Sequence, residues 1–196
     1  MPLPEIEFEL PSSQLDRMGH PPLHQGQPLS LVLDGGVLLP DPEAEFWYTV
    51  FEARRPGRLV RLGVGLYAFR GIVVEAALEY GPEQHGILAV DCGPVVIRVT
   101  CAPQADGTLP HGTWETRSMA GLVHLRGLLE DSYPGGIGPV TGVTVSRFRR
   151  LVLEPTDPHF GEWHEEVALP ALPVAAGHRI YAVARVHRRG VEGPTG

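Results

Sequence analysis

Glu5-Ile6-Glu7-Phe8-Glu9-Leu10 alternates without a break between carboxylates and apolar side chains. A period of two puts Ile6, Phe8 and Leu10 on one face of an extended strand and the three glutamates on the other. A helix would scatter the same residues around its circumference. The stretch therefore predicts a half-buried strand with the apolar trio inside and Glu5, Glu7 and Glu9 in solvent.

The same short period recurs downstream. Leu29 to Leu33 and Val37 to Leu39 flank Asp34-Gly35-Gly36, which reads as a hairpin turn needing positive φ. Glu45 to Ala53 reads as an aromatic strand, and Arg54-Arg55-Pro56-Gly57 as a turn. Val60, Leu62, Val64 and Leu66 alternate with Arg61, Gly63, Gly65 and Tyr67, a strand bent at its glycines. Gly71 to Tyr80 is a further strand, and Gly81-Pro82-Glu83-Gln84 turns the chain. Ile87 to Val90 and Val95 to Cys101 pair across Asp91-Cys92-Gly93-Pro94. Residues 102–113 are a polar loop. Over Thr113 to Asp131 the leucines fit either period, but Gly121 and Gly127 weigh against a helix, so a strand is favoured. Tyr133 to Pro139 is a loop, Val143 to Glu154 a strand, 155–178 a loop, and Ile180 to His187 a last strand. With 24 glycines and 20 prolines spread along 196 residues, short elements and turns outweigh long helices.

The expected fold is all-β and mainly antiparallel, a barrel or sandwich of about ten short strands with at most one or two short helices. Residues 1–28 form an N-terminal strand and a Pro-rich arm, 29–189 one domain, and 190–196 a disordered tail. Gly71 to Glu130 contains a long bent strand, a hairpin through Asp91-Cys92-Gly93, an intervening loop and the strand Leu122-Val123-His124-Leu125-Arg126-Gly127-Leu128. In architecture this stretch, under a third of the chain, resembles OB-fold β-barrel modules. The resemblance implies binding of oligonucleotide, oligosaccharide or protein, without choosing among them.

All 16 basic residues are arginine, and asparagine is also absent; a GC-rich bacterial genome accounts for both, since their codons are AT-rich. The net charge of −7 disfavours non-specific binding to polyanions. Cys92 and Cys101, at opposite ends of one extended segment roughly 30 Å long, are too far apart for a disulfide, which spans about 6 Å. They read as buried thiols in a reducing compartment. Met1-Pro2-Leu3-Pro4-Glu5 has no signal-peptide character, and no apolar run approaches a membrane span, so a cytoplasmic location is expected.

Two constellations stand out. Arg147-Phe148-Arg149-Arg150 sets guanidinium groups around an aromatic ring, a combination that can bind phosphates and stack a base; Arg185 to Arg189 is the other basic cluster. Strict alternation puts Arg147 and Arg149 on the face of Leu151, a conflict that a bulge near Phe148 would resolve. His159, Glu162 and His164 carry imidazole and carboxylate donors for a divalent metal. Their i, i+5 histidine spacing, with Pro158 and Gly161 between, does not match a zinc-binding helix. No serine lies in a nucleophile elbow, and Gly135-Gly136-Ile137-Gly138 lacks the Lys-Ser/Thr of a phosphate loop. No catalytic residue and no cofactor are assigned. The first expectation is a non-catalytic protein-interaction module, an assembly adaptor or immunity-type protein, binding through one face and the N-terminal arm. The alternatives are a single-stranded nucleic-acid-binding module and a metal-dependent enzyme on a β-barrel.

Overall fold

Ile6, Phe8 and Leu10 lie in the core, as their period of two requires. The structure, a computed structural model, describes residues 4–17, 22–36, 48–79, 85–101, 118–129, 137–169 and 177–187. Its elements are β1 (Glu5–Leu10), α1 (Ser12–Arg17), β2 (Leu23–His24), β3 (Pro28–Gly36), β4 (Tyr48–Phe51), β5 (Arg58–Arg61) and β6 (Leu66–Glu79). After these come β7 (His85–Asp91), β8 (Val96–Cys101), β9 (Ser118–Leu129), β10 (Thr141–Val152), β11 (Trp163–Glu166), β12 (Ala168–Leu169) and β13 (His178–Val186). Eleven strands form one mostly antiparallel sheet in the order β11-β10-β13-β1-β9-β3-β8-β7-β6-β5, with β4 paired to β9. Strand β10 also pairs β3, and β9 also pairs β6. Two pairings are parallel, β3 with β8 and the short meeting of β1 with β9 at Glu9 opposite Arg126. Strands β2 and β12 make a separate two-stranded sheet. No described helix is long and apolar enough to cross a membrane.

Strand β9 lies within the stretch that fits two periods, and the structure resolves it as extended. Its Met119, Val123, Leu125 and Leu129 are buried, and it pairs with β1, β3, β4 and β6. Gly127, a poor helix residue, has a packing reason to be there. A Cβ at that position would sit 2.6 Å from the Phe8 ring, so its absence lets the β1 aromatic lie against the β9 backbone.

Asp34-Gly35-Gly36 is not a turn. These residues continue β3, opposite Arg126, Leu125 and His124 of β9. The glycines are there for proximity: a Cβ on Gly35 would meet Val123 Cγ1 at 2.9 Å and Val99 Cγ1 at 3.1 Å. Val37 to Leu39 lie outside the described residues. The stretch from Val60 to Tyr67 is a hairpin instead of one bent strand: Arg61 of β5 faces Tyr67 of β6 and the chain reverses over Leu62–Gly65, with Gly65 at φ +65°. The hairpin predicted over Asp91–Pro94 is present, with Gly93 at φ +92° and its N–H donating to Asp91 Oδ1 at 2.8 Å. Cys92 within it is buried, its Sγ 3.6 Å from the Val90 carbonyl oxygen.

The described part of the Pro-rich segment is built into the body instead of standing out as an arm. From α1, Gln14 Nε2 donates to the Gly127 carbonyl at 2.6 Å, and its Oε1 accepts the Leu129 N–H at 3.0 Å. The side-chain amide thus supplies the hydrogen bonds a neighbouring strand would give the end of β9. Strand β10 carries a register shift between Val145 and Arg147, the bulge expected in this segment. The extra residue changes parity, so Val143 and Val145 before it and Phe148 and Val152 after it are all buried.

Phe8 is fully buried. Replacing it with alanine is expected to cost about 3–5 kcal/mol in chemical denaturation. A loss below about 1 kcal/mol would show β1 to be peripheral.

Candidate functional site

The outer face of β1 is not the solvated acidic face that its alternation predicts. Glu7 is completely buried, Glu9 is half-buried and only Glu5 is exposed. The cause is topological. Strands β1 and β9 meet at a single residue pair, leaving backbone groups unpaired beside it. The hydroxyl of Tyr67 from β6 accepts the Glu7 N–H at 2.7 Å, and the Gly65 carbonyl accepts the Leu125 N–H at 2.8 Å. The β5–β6 hairpin therefore folds over β1. Arg61 comes with it and pairs with Glu7 Oε2, while Arg149 Nη1 of β10 donates to Oε1 at 2.8 Å. Glu9 faces His124 Nδ1 at 3.4 Å and Arg179 Nε at 3.9 Å. His124 Nε2 lies 3.2 Å from the Tyr181 hydroxyl. Burial pushes the His124 pKa down. Glu9 pulls it upward, but the lost hydration, helped by Arg179 and Arg126, prevails. Burial also raises the phenol pKa values of Tyr67 and Tyr181.

The same network accounts for Arg147, Phe148, Arg149 and Arg150. The Phe148 ring is fully buried, placed inside by the bulge, and offers no surface to a base. Arg149 holds Glu7 and lies over the Trp163 ring at 4.5 Å. Arg150 Nε donates to Glu166 Oε1 at 2.6 Å, and Arg147 Nε lies 3.5 Å from Glu165 Oε1. Strands β10 and β11 are in register from Phe148–Glu166 to Leu151–Trp163. The basic and acidic clusters of the sequence thus face each other as neighbouring strands.

His159, Glu162 and His164 are brought together. Turns lead the chain out of β10: the Asp157 N–H bonds the Glu154 carbonyl, Phe160 bonds Asp157, and Glu162 bonds His159. Gly161 at φ +83° then reverses the chain toward β11. His159 Nδ1 stands 2.9 Å from Glu162 Oε2, and His164 Nε2 stands 3.8 Å from the same oxygen.

A third site is one the sequence reading missed. Strands β4, β5, β6 and β9 line a cleft of about 380 Å³, floored by Phe51, Val60, Ala68 and Ala120 and flanked by Arg55, Arg58 and Arg70. The Arg55 guanidinium lies over the Phe51 ring at 4.4 Å, and Arg70 Nε donates to the Pro56 carbonyl at 3.1 Å. Among the described residues none of the three forms an ion pair. By contrast Arg61, Arg98, Arg126, Arg147, Arg149, Arg150 and Arg179 all face carboxylates. The available signal was the run Arg54-Arg55-Pro56-Gly57-Arg58, whose turn residues drew attention away from its charge.

Glu7→Ala leaves two guanidinium groups without their carboxylate. It is expected to cost about 3 kcal/mol, the lower end for breaking a buried pair because Arg61 remains half-exposed. Urea denaturation measures it. His124 gives a pH dependence. Its folded pKa lies below the unfolded value near 6.5, so the unfolded chain binds the proton more readily. The stability it contributes is complete above about pH 7 and is lost as pH falls through 6.5 toward the folded value. Melting temperatures measured from pH 7.5 to 5.5 should fall less steeply in His124→Gln than in the parent chain.

No protein-family model, curated protein or solved structure matches this chain.

Proposed function

We propose that the protein is a non-catalytic interaction module that docks an acidic, partly apolar segment of a partner protein on the face built by β4, β5, β6 and β9. The observation that carries this reading is the cleft with three guanidinium groups that have no carboxylate partner among the described residues, set over an apolar floor, in a chain of net charge −7 that pairs seven other arginines internally. Arginine and aromatic side chains over a desolvated floor are the composition of interface hot spots. Leu122, 47% exposed and cross-strand from Ala68, extends the apolar surface, and among the described residues β5 pairs only with β6, leaving an edge that can receive an extended peptide.

Nucleic acid is the second reading, favoured by the pairing path. β6-β7-β8-β3-β9 returns to β6, with β3 parallel to β8. We read this as a closed five-stranded barrel of OB-like order, its last strand supplied from the N-terminal side. The pairings β10-β13-β1-β9-β3-β10 describe a second ring sharing β3 and β9. The protein partner is preferred because the basic face is short. The net charge of −7 also works against following a phosphate backbone.

The test uses fluorescence anisotropy with a labelled peptide alternating Glu with Leu and Phe, beside a labelled twelve-residue oligothymidylate. Peptide binding should weaken at least about tenfold in Arg58→Glu/Arg70→Glu and again between about 50 and 300 mM salt. Equal binding by the variant overturns the proposal. Oligothymidylate binding that is tighter than the peptide's, and lost in the variant, replaces it with the second reading.

A further inference from the structure

We infer that His159, Glu162 and His164 form a binding site for one divalent transition-metal ion, clasping the β10–β11 connection. One ligand atom from each of the three residues lies within 4.8 Å of the others. Two imidazoles and a carboxylate are a donor set suited to Zn²⁺ and its neighbours and unsuited to Mg²⁺ or Ca²⁺, which require an oxygen cage. Metal–donor distances of about 2.0–2.2 Å put neighbouring donors roughly 3–3.5 Å apart. His159 Nδ1 and Glu162 Oε2 are already 2.9 Å apart, and His164 Nε2, 3.8 Å from the same oxygen, needs to approach it by a few tenths of an ångström.

A second observation is independent of this spacing. His164 Nε2 is shielded from solvent and has no hydrogen-bond partner, although its nearest carboxylate oxygen belongs to the cluster. A buried ring nitrogen left unsatisfied is unfavourable, and coordination removes that cost. The two rings meet edge to face, centroids 5.5 Å apart, which keeps either from blocking the other's access to a shared ion.

The frame is built before the ion arrives. His164 is fixed on β11 by its register with Arg150, and the Gly161 N–H and Glu162 carbonyl are both bonded to Val152. The loop can therefore present its donors with little ordering cost. Three protein ligands leave a coordination position for water or for a group of a bound molecule.

Isothermal titration of the full chain with ZnCl2, and with MgCl2 as the hard-cation control, tests the inference. One Zn²⁺ per chain is expected, with no heat from Mg²⁺. His159→Ala, at a position 58% exposed and so harmless to the fold, should weaken Zn²⁺ binding at least about 100-fold, as should His164→Ala. His187→Ala, outside the cluster, should leave it unchanged. No Zn²⁺ binding at millimolar concentration, or equal binding by His159→Ala and the parent chain, overturns the site. Neither result bears on the arginine cleft, whose residues lie on other strands.

Discussion

The carboxylate of Glu7 is the fixed point of this structure. A buried carboxylate is tolerable only when paired, and its two partners come from separate parts of the chain, Arg61 at the end of β5 and Arg149 on β10. Meeting both requires β1 to sit in one position between the β5–β6 hairpin and β10. A slip of one residue along β13 would put Phe8 among the guanidinium groups and a carboxylate against Gly127 and Leu31. The alternation that makes β1 a strand therefore also sets its register, because both of its faces are committed, one to apolar packing and one to charge.

That double commitment marks where the sequence is legible. Period-two burial of Ile6, Phe8 and Leu10, the β7–β8 hairpin, the extended state of β9 and the β10 bulge all follow from local pattern, because local sterics and one buried face suffice to decide them. What could not be read depends on which strands become neighbours. Glycine is ambiguous in this respect. In Gly65 and Gly93 it supplies the positive φ of a turn, whereas in Gly35 and Gly127 it makes room for Val123, Val99 and Phe8 from distant parts of the chain. Asp34-Gly35-Gly36 has the composition of a turn and the environment of a central strand. Only the second decides.

Charge follows the same logic. Arg147, Arg149 and Arg150 stand out as a basic run, yet each faces a carboxylate once β10 lies beside β11 and Arg149 reaches across β13 to β1. Arg55, Arg58 and Arg70 are less conspicuous because Arg70 is distant in sequence and the other two sit around a turn, yet among the described residues none of the three has a carboxylate partner. His159, Glu162 and His164 could be nominated from composition alone. A helical spacing rule fails for them because a glycine-directed reversal, not a helix, brings them together. In both sites the informative quantity is which groups folding leaves without a counter-charge or a hydrogen-bond partner among the described residues, which a linear scan does not report.

The pairing of β1 with β13 has a consequence for biosynthesis. Residues 5–10 are made well before residues 178–186, yet each is the other's neighbour from Glu5–Arg185 to Leu10–Ile180. During vectorial synthesis β1 has no antiparallel partner until nearly the whole described chain has emerged from the ribosome. Synthesis at about 5–20 residues per second leaves Ile6, Phe8 and Leu10 waiting on the order of ten seconds or more. The glutamates between them then have a second role. Alternating charge keeps an unpartnered strand from pairing with another nascent copy, so the carboxylate later buried at the centre of the fold first acts as a safeguard against misassembly.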